Sequence, residues 1–430
     1  MHSHSTHLHT HRLNTRKAYL AWFAASLFYF YQYILRVSPG VMVTDLRRDF
    51  HMTAEEFSSL GALYLYAYSL LQIPLGLLID RWGVRRTLLS SVFLCIAGTL
   101  MLGSADTLLV VQLSRLLIGA GSACAFMSAL KVAADGLPTG QRGFLMGATL
   151  TLGTIGPLIA GKPLVRFIET LGWRQTVLFT AVLGFVVFLI AYVLLRPPRN
   201  AVSAEAHAAH DVKHLLRSIA NILRDRRIMI YAILAIGLYT PLSVLADLWG
   251  TAFLMQKFDL SRADAANASM MMYLGLALGS LFLPWACEKW GLQIRAVQVC
   301  GLAIFAVFGF MLFGPAVHLW LLTLLLIVLG FFCGAEMLCF SGAVAHATAS
   351  NSGLVLGVVN TFNMFGGALL QQAIGALLDM QWQGAIDTNG VRVYATHEFV
   401  AALSLLVAVI VLCFLMSLRL SSAAVSVRRG

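Results

Sequence analysis

A chain of 430 residues in which 59% are hydrophobic and 11% charged, with a mean hydropathy of +0.81, cannot present an ordinary water-solvated surface. No nucleophile, metal-ligand or phosphate-cradling constellation appears, so an enzyme is not expected, and no catalytic residue, cofactor or metal site is assigned. The formal net charge of +11 does not point to nucleic acid, because the cations are spread along the chain by topology.

Residues 1–17 form a tail carrying His2, His4, His7, His9 and His11. It reads either as a solvated tail or as a tract able to hold a transition metal, and no acidic or Cys ligand accompanies it. Apolar runs then follow at 18–43, 55–79, 87–105, 107–134, 143–163, 176–195, 229–256, 266–286, 296–315, 317–345, 353–378 and 396–420. Each is near the ~20 residues that a helix needs to cross a bilayer, which predicts about twelve spans. Without strand-like alternation, runs of this length predict an all-α membrane protein. The first run is too long for a signal peptide and lacks a small-residue cleavage site. The 7 cysteines lie in or beside apolar runs and read as packing residues with no disulfide framework.

The first span contains Tyr29, Gln32, Tyr33 and, well inside it, Arg36, followed by Ser38-Pro39-Gly40. An arginine in lipid costs several kcal/mol unless it faces water, an anion or protein partners, so Arg36 is a candidate anion-binding residue. The alternative is a structural Arg36 that snorkels outward or pairs with Asp45 or Asp49. Thr53-Ala-Glu-Glu56 reads as a capping box starting the second span. Gly76-Leu-Leu-Ile-Asp80-Arg81-Trp82-Gly83-Val84-Arg85-Arg86 is a charged hairpin between two spans, and Gly76, Asp80, Arg81, Gly83, Arg85, Arg86 and the later Arg142 are candidate gate residues. The fourth span holds a second buried cation, Arg115, beside the small residues Gly119 and Gly121. The fifth carries Gly153, Gly156, Pro157 and Gly161, a set suited to close helix approach and a bend.

Residues 196–228 form a polar linker with an amphipathic helix, separating a six-helix half at 18–195 from a second at 229–420, with a tail at 421–430. The second half has two intramembrane acids, Asp247 in a run flanked by Tyr239 and Trp249, and Glu336. Three readings are open for each: it titrates and couples transport to protons, it pairs with a cation across the halves, or it is satisfied by hydroxyls. The eleventh span adds Asn360, Thr361, Asn363, Gln371 and Gln372, an amide density that suits a cavity wall, and Tyr239 and Trp249 join Asn360, Asn363 and Gln371 as candidate substrate-binding residues. Glu288-Lys289-Trp290-Gly291 repeats the order of Asp80-Arg81-Trp82-Gly83, and Asn351 to Gly357 repeats Gln141 to Gly147 at nearly the same offset. Two halves of like topology are the mark of a transporter built from repeats. Lys and Arg concentrate in the segments that share a side with the termini, which places both termini in the cytoplasm.

Across essentially its whole length the sequence resembles the major facilitator superfamily. Gly76 to Arg86 resembles that family's loop between helices 2 and 3, which implies that Asp80 meets the start of helix 11 and its basic neighbours when the cytoplasmic side is shut. Arg115-Leu-Leu-Ile-Gly119 resembles the helix 4 motif. Gly156-Pro157-Leu-Ile-Ala160-Gly161 resembles the helix 5 motif frequent in proton antiporters, with Ala160 where Gly is usual. Arg36 stands where organic-anion and organophosphate uptake branches carry a substrate-binding arginine. Leu35 and Ser122 stand where anion symporters often have acids, so Asp247 or Glu336 would carry proton coupling. The helix 1 stretch is also similar to nutrient transporters of intracellular bacteria.

The resemblance implies a monomeric secondary transporter of the bacterial inner membrane. It would move a carboxylate-bearing solute by alternating access, with Arg36, Tyr29, Gln32, Tyr33 and Arg115 at the substrate. A proton-coupled drug or metabolite exporter, an amino-acid or nucleoside permease, and a receptor-like binder that moves no solute are the alternatives.

Overall fold

The computed structural model describes residues 15–137, 142–195, 212–348 and 351–427. The histidines of the leader and the linker residues 196–211 lie outside the described residues, as do the side chains of Asp80 and Arg142.

In the first half, α1 (Thr15–Val41) leads through a short α2 (Val43–Phe50) into α3 (Ala54–Gly103), a helical run broken at Gly83. With φ 77° and ψ 157°, Gly83 takes a backbone conformation open to glycine and strained for any residue with a Cβ, and it divides α3 into the second and third spans. The fourth span is α4 (Leu108–Ser122) continued by α5 (Ala125–Gly136), and the fifth is α6 (Arg142–Ala160) continued by α7 (Lys162–Leu171). The sixth is α8 (Trp173–Leu194).

The linker contributes α9 (Val212–Arg224). The seventh span is α10 (Arg226–Val244), a π-helical turn at Leu245–Trp249, and α11 (Gly250–Phe258). Then come α12 (Arg262–Trp290), α13 (Gln293–Phe313), α14 (Leu319–Cys333) with α15 (Glu336–Val344), α16 (Ser352–Gln381) and α17 (Thr396–Val427).

Eleven of these spans are long and apolar enough to cross a membrane, and α1, which carries Gln32 and Arg36, packs among them as the twelfth. Sequence spacing and structure therefore agree on an all-α bundle of two like six-helix halves. The capping box is present, with the Glu56 amide donating to Thr53 Oγ1 at 3.2 Å and the Thr53 amide donating to Glu56 Oε2 at 2.9 Å. All the cysteines are buried and free.

The halves meet along α1 with the seventh span, α3 with α16, and α6 with α12. One glycine sets how closely at the first of these contacts, and a second does the same for two helices within the first half. A Cβ on Gly40 would stand 2.8 Å from the Leu248 carbonyl oxygen and 2.9 Å from that of Asp247, so the end of α1 lies directly on the π-helical turn of the other half. A Cβ on Gly156 would stand 2.5 Å from the Phe30 carbonyl oxygen. Gly156 of the fifth span thus serves close approach to α1.

A buried ion pair between the halves as candidate functional site

Arg36 is carried by α1 and Asp247 by the π-helical turn of the seventh span, each buried to 5% exposure or less. The extra residue in a π turn rotates the following side chains relative to a regular helix, and such turns recur at functional sites. Here the turn holds Asp247 against the first half. Arg36 Nη2 and Nε donate to Asp247 Oδ2 at 2.6 and 2.9 Å, and Arg36 Nη2 also donates to the Tyr239 hydroxyl at 2.7 Å. The Tyr273 hydroxyl of α12 donates to the other oxygen, Asp247 Oδ1. The rings of Tyr33 and Tyr239 lie 5.7 and 5.6 Å from the Arg36 guanidinium carbon, and Met364 of α16 lies beyond Nη1. A buried cation is held by two aromatic faces and a carboxylate, which is how buried charges become tolerable. The pairing replaces the outward alternatives: Asp45 and Asp49 engage Arg262, Arg48 and Arg174 at the bundle end instead.

Arg115 supports this site from behind. Its guanidinium donates to the backbone carbonyls of Leu60 at 3.0 Å, Leu35 at 2.8 Å and Arg36 at 3.3 Å, and stacks on Tyr64 at 4.9 Å. Tyr64 in turn donates to Gln32 Oε1 at 2.7 Å. Pro39 sits four residues after Leu35 and has no N–H to return to the Leu35 carbonyl, which accepts instead from the Ser38 hydroxyl at 3.1 Å and from Arg115. In this structure Arg115 donates through all three of its nitrogens to backbone carbonyls, and the Oε1 of Gln32 is taken by Tyr64. The Tyr29 hydroxyl donates to that of Tyr33 at 3.2 Å.

The remaining candidates are dispersed. Glu336 of α15, 5% exposed, accepts from Asn363 Nδ2 at 2.8 Å, and Asn363 Oδ1 is buried without a partner. Asn360 donates to Gln72 Oε1 at 2.7 Å across the halves on the side nearer the termini. Gln371 Nε2 donates to the Ser243 carbonyl at 2.7 Å, with its Oε1 buried and unpartnered. Trp249 donates to Ser58 Oγ at 3.0 Å and packs on Phe57 and Phe399. Among the gate candidates, Arg81 and Arg86 are exposed and Arg85 stacks on Tyr192 at 4.8 Å.

The spacing and chemistry of the sequence pointed to Arg36 and Asp247 separately, as charges in apolar runs. Tyr273, Tyr64 and Met364 carried no comparable signal, because a tyrosine or methionine in a span reads equally well as packing.

At the bundle end opposite the termini the halves are joined by polar contacts. Lys162 pairs with Asp264 at 3.2 Å, and Arg262 reaches Asp45 and, at 2.7 Å, the Val41 carbonyl.

Comparison with known proteins extends these observations. A probable L-galactonate transporter of Escherichia coli is 24% identical over 82% of this chain and 80% of its own length. A probable sulfoacetate transporter of Cupriavidus necator is 27% identical over 38% of each chain. Several such sequence matches, this one included, span less than half of the relative's length. A bacterial homologue of the human lysosomal transporter Spinster superposes with a TM-score of 0.73, 15% identity, and coverage of 93% of this chain and 96% of its own. The family model for the Major Facilitator Superfamily matches residues 21–370. Twelve spans in two like halves, joined through buried polar contacts and matched by that model over most of the sequence, make this chain a member of the Major Facilitator Superfamily.

Proposed function

We propose that the protein imports a small organic anion across the bacterial inner membrane by alternating access, coupled to protons, with both termini in the cytoplasm. The observation that carries this reading is the buried Arg36–Asp247 pair joining the two halves. The same Arg36 Nε and Nη2 that hold Asp247 suit a carboxylate, since a guanidinium offers paired donors matched to two oxygens.

Asp247 and an incoming anion then compete for one cation. A proton taken up by Asp247 releases Arg36 to the substrate, and departure of the substrate returns Arg36 to the deprotonated carboxylate. Coupling follows because proton and anion favour the same state of the protein, each by its differential affinity. Tyr29, Tyr33 and Tyr239 line the approach with hydroxyls for a polar solute. Glu336, a buried carboxyl whose described partner is the Asn363 amide, is a second proton carrier. The relatives support the substrate class, since L-galactonate and sulfoacetate both carry acid groups. Both walls of the site belong to one polypeptide, and the unit of transport is a monomer in the bilayer.

The test is a thermal-stabilisation screen of the purified protein with sugar acids, other carboxylates, sulfonates, amino acids and nucleosides, repeated on Arg36→Gln. A ligand that binds the native state raises the melting midpoint by mass action. An acid that stabilises the wild type and loses its effect in Arg36→Gln is expected. A neutral or cationic ligand that stabilises both equally would return Arg36 to a structural role and overturn the reading.

A further inference from the structure

One carboxylate ties the halves together at the end of the bundle opposite the termini. Asp379, in the last turn of α16, accepts from the backbone amides of Ala54 at 3.2 Å and Glu55 at 2.7 Å, the first two residues of α3 in the other half. A helix start leaves its first amides without intrahelical partners, and its positive end favours an anion. Thr53 takes only the Glu56 amide, so Asp379 takes those that the helix's own cap leaves over.

Two further donors to Asp379 come from its own half. Arg392 Nη1 donates at 2.9 Å, and the Tyr394 hydroxyl donates as well while accepting from the Ala54 amide at 3.0 Å. Arg47 of the first half completes the clasp by donating to the Arg392 carbonyl at 2.7 Å and stacking on Tyr394 at 4.8 Å. Charge-assisted hydrogen bonds of this kind are about twice as strong as neutral ones.

We propose that Asp379 is a latch: its closure on the start of α3 holds the far end of the transporter shut, and its release is part of opening that end. The contacts to Ala54 and Glu55 exist only while α3 and α16 lie together there, so they differ between the two states and bias the equilibrium between them. The proposal rests on alternating access but not on the identity of the substrate.

The experiment measures opening directly and needs no ligand. Ser58 is fully buried one turn into α3, beneath the latch, and its hydroxyl accepts from Trp249 of the other half. In a Ser58→Cys background, a membrane-impermeant maleimide added to the far side reports separation of the halves. The native cysteines are buried, and the protein without Ser58→Cys gives the baseline.

Asp379→Asn, which keeps the shape and loses the charge, is expected to raise the labelling rate about tenfold, as loss of charge assistance in these hydrogen bonds implies, and Asp379→Ala further still. Tyr394→Phe and Arg392→Gln each remove one donor to the same carboxylate without altering α16, and both are expected to give smaller rises. Unchanged labelling in folded Asp379→Asn and Asp379→Ala would overturn the latch. Should the Asp379 variants not fold, unchanged labelling in both Tyr394→Phe and Arg392→Gln would overturn it equally. A failed ligand screen leaves this result untouched, so the two ideas fall separately.

Discussion

Removing one member of the Arg36–Asp247 pair should cost far more than removing both. The side chains are each 4% exposed and meet at 2.6 Å, so neither charge has water to fall back on. With charge centres roughly 4 Å apart and an effective dielectric constant of about 20, the attraction is about 4 kcal/mol. Truncating one partner of a buried pair typically costs about 3–5 kcal/mol, because the other charge is left uncompensated. Replacing both by apolar side chains removes the attraction and the desolvation cost together, and is often close to neutral.

Arg36→Leu and Asp247→Leu are therefore each expected to lower stability by about 3–5 kcal/mol, while the double variant loses less than either. The pair is then read from a double-mutant cycle, with reversible denaturant unfolding in detergent as the assay. A coupling energy of about 2 kcal/mol or more is the expected outcome, with transport absent in all three proteins. Additive single effects would refute the reasoning, since they would mean that the two charges do not sense each other in the folded protein.

Glu336→Gln keeps the shape and hydrogen-bonding capacity beside Asn363 but removes the titrating group; counterflow exchange in proteoliposomes should persist while accumulation driven by a pH gradient is lost. Gly40→Ala places a methyl against the Leu248 and Asp247 carbonyls and should cost about 1–3 kcal/mol by overpacking, read as a lower unfolding midpoint together with weaker anion stabilisation. At the surface of the bundle, burial pushes the Asp49 carboxyl up, but hydrogen bonds from Trp173, Arg174 and Arg48 outweigh it and hold the carboxyl below its ordinary value. A depressed folded-state pKa contributes stability that is present above the unfolded pKa and lost as pH falls through the folded one. The stability difference between wild type and Asp49→Asn should accordingly shrink as the pH drops below about 4, and a difference constant from pH 6 to pH 3 would refute the assignment.

The spans were legible because lipid demands long apolar runs, and the start of α3 because Thr53 and Glu56 satisfy its amides locally. Charges inside apolar runs were equally legible, which is why Arg36, Arg115, Asp247 and Glu336 stood out. Their partners were not. Arg36 and Asp247 are 211 residues apart, and their meeting depends on Gly40 admitting the other half and on a π turn that no local pattern announces. Asn360, Gln371 and Trp249 read as one set of substrate-binding candidates with Asn363, yet each has a separate neighbour at a different level of the bundle. Asp379 gave no signal at all: at the end of an apolar run an acid reads as a solvated flank, and only the packed structure shows it bound to another helix.

The spacing of Arg36 and Asp247 is close to that at which the motif around Asp80 recurs around Glu288, so the two residues lie in corresponding spans of the two halves. A chain made of two identical copies would set arginine against arginine there, or aspartate against aspartate, and like charges buried at such a distance repel by several kcal/mol. The pair thus depends on the two halves carrying different residues at this level of the bundle. At its centre the molecule breaks the symmetry that its outline keeps.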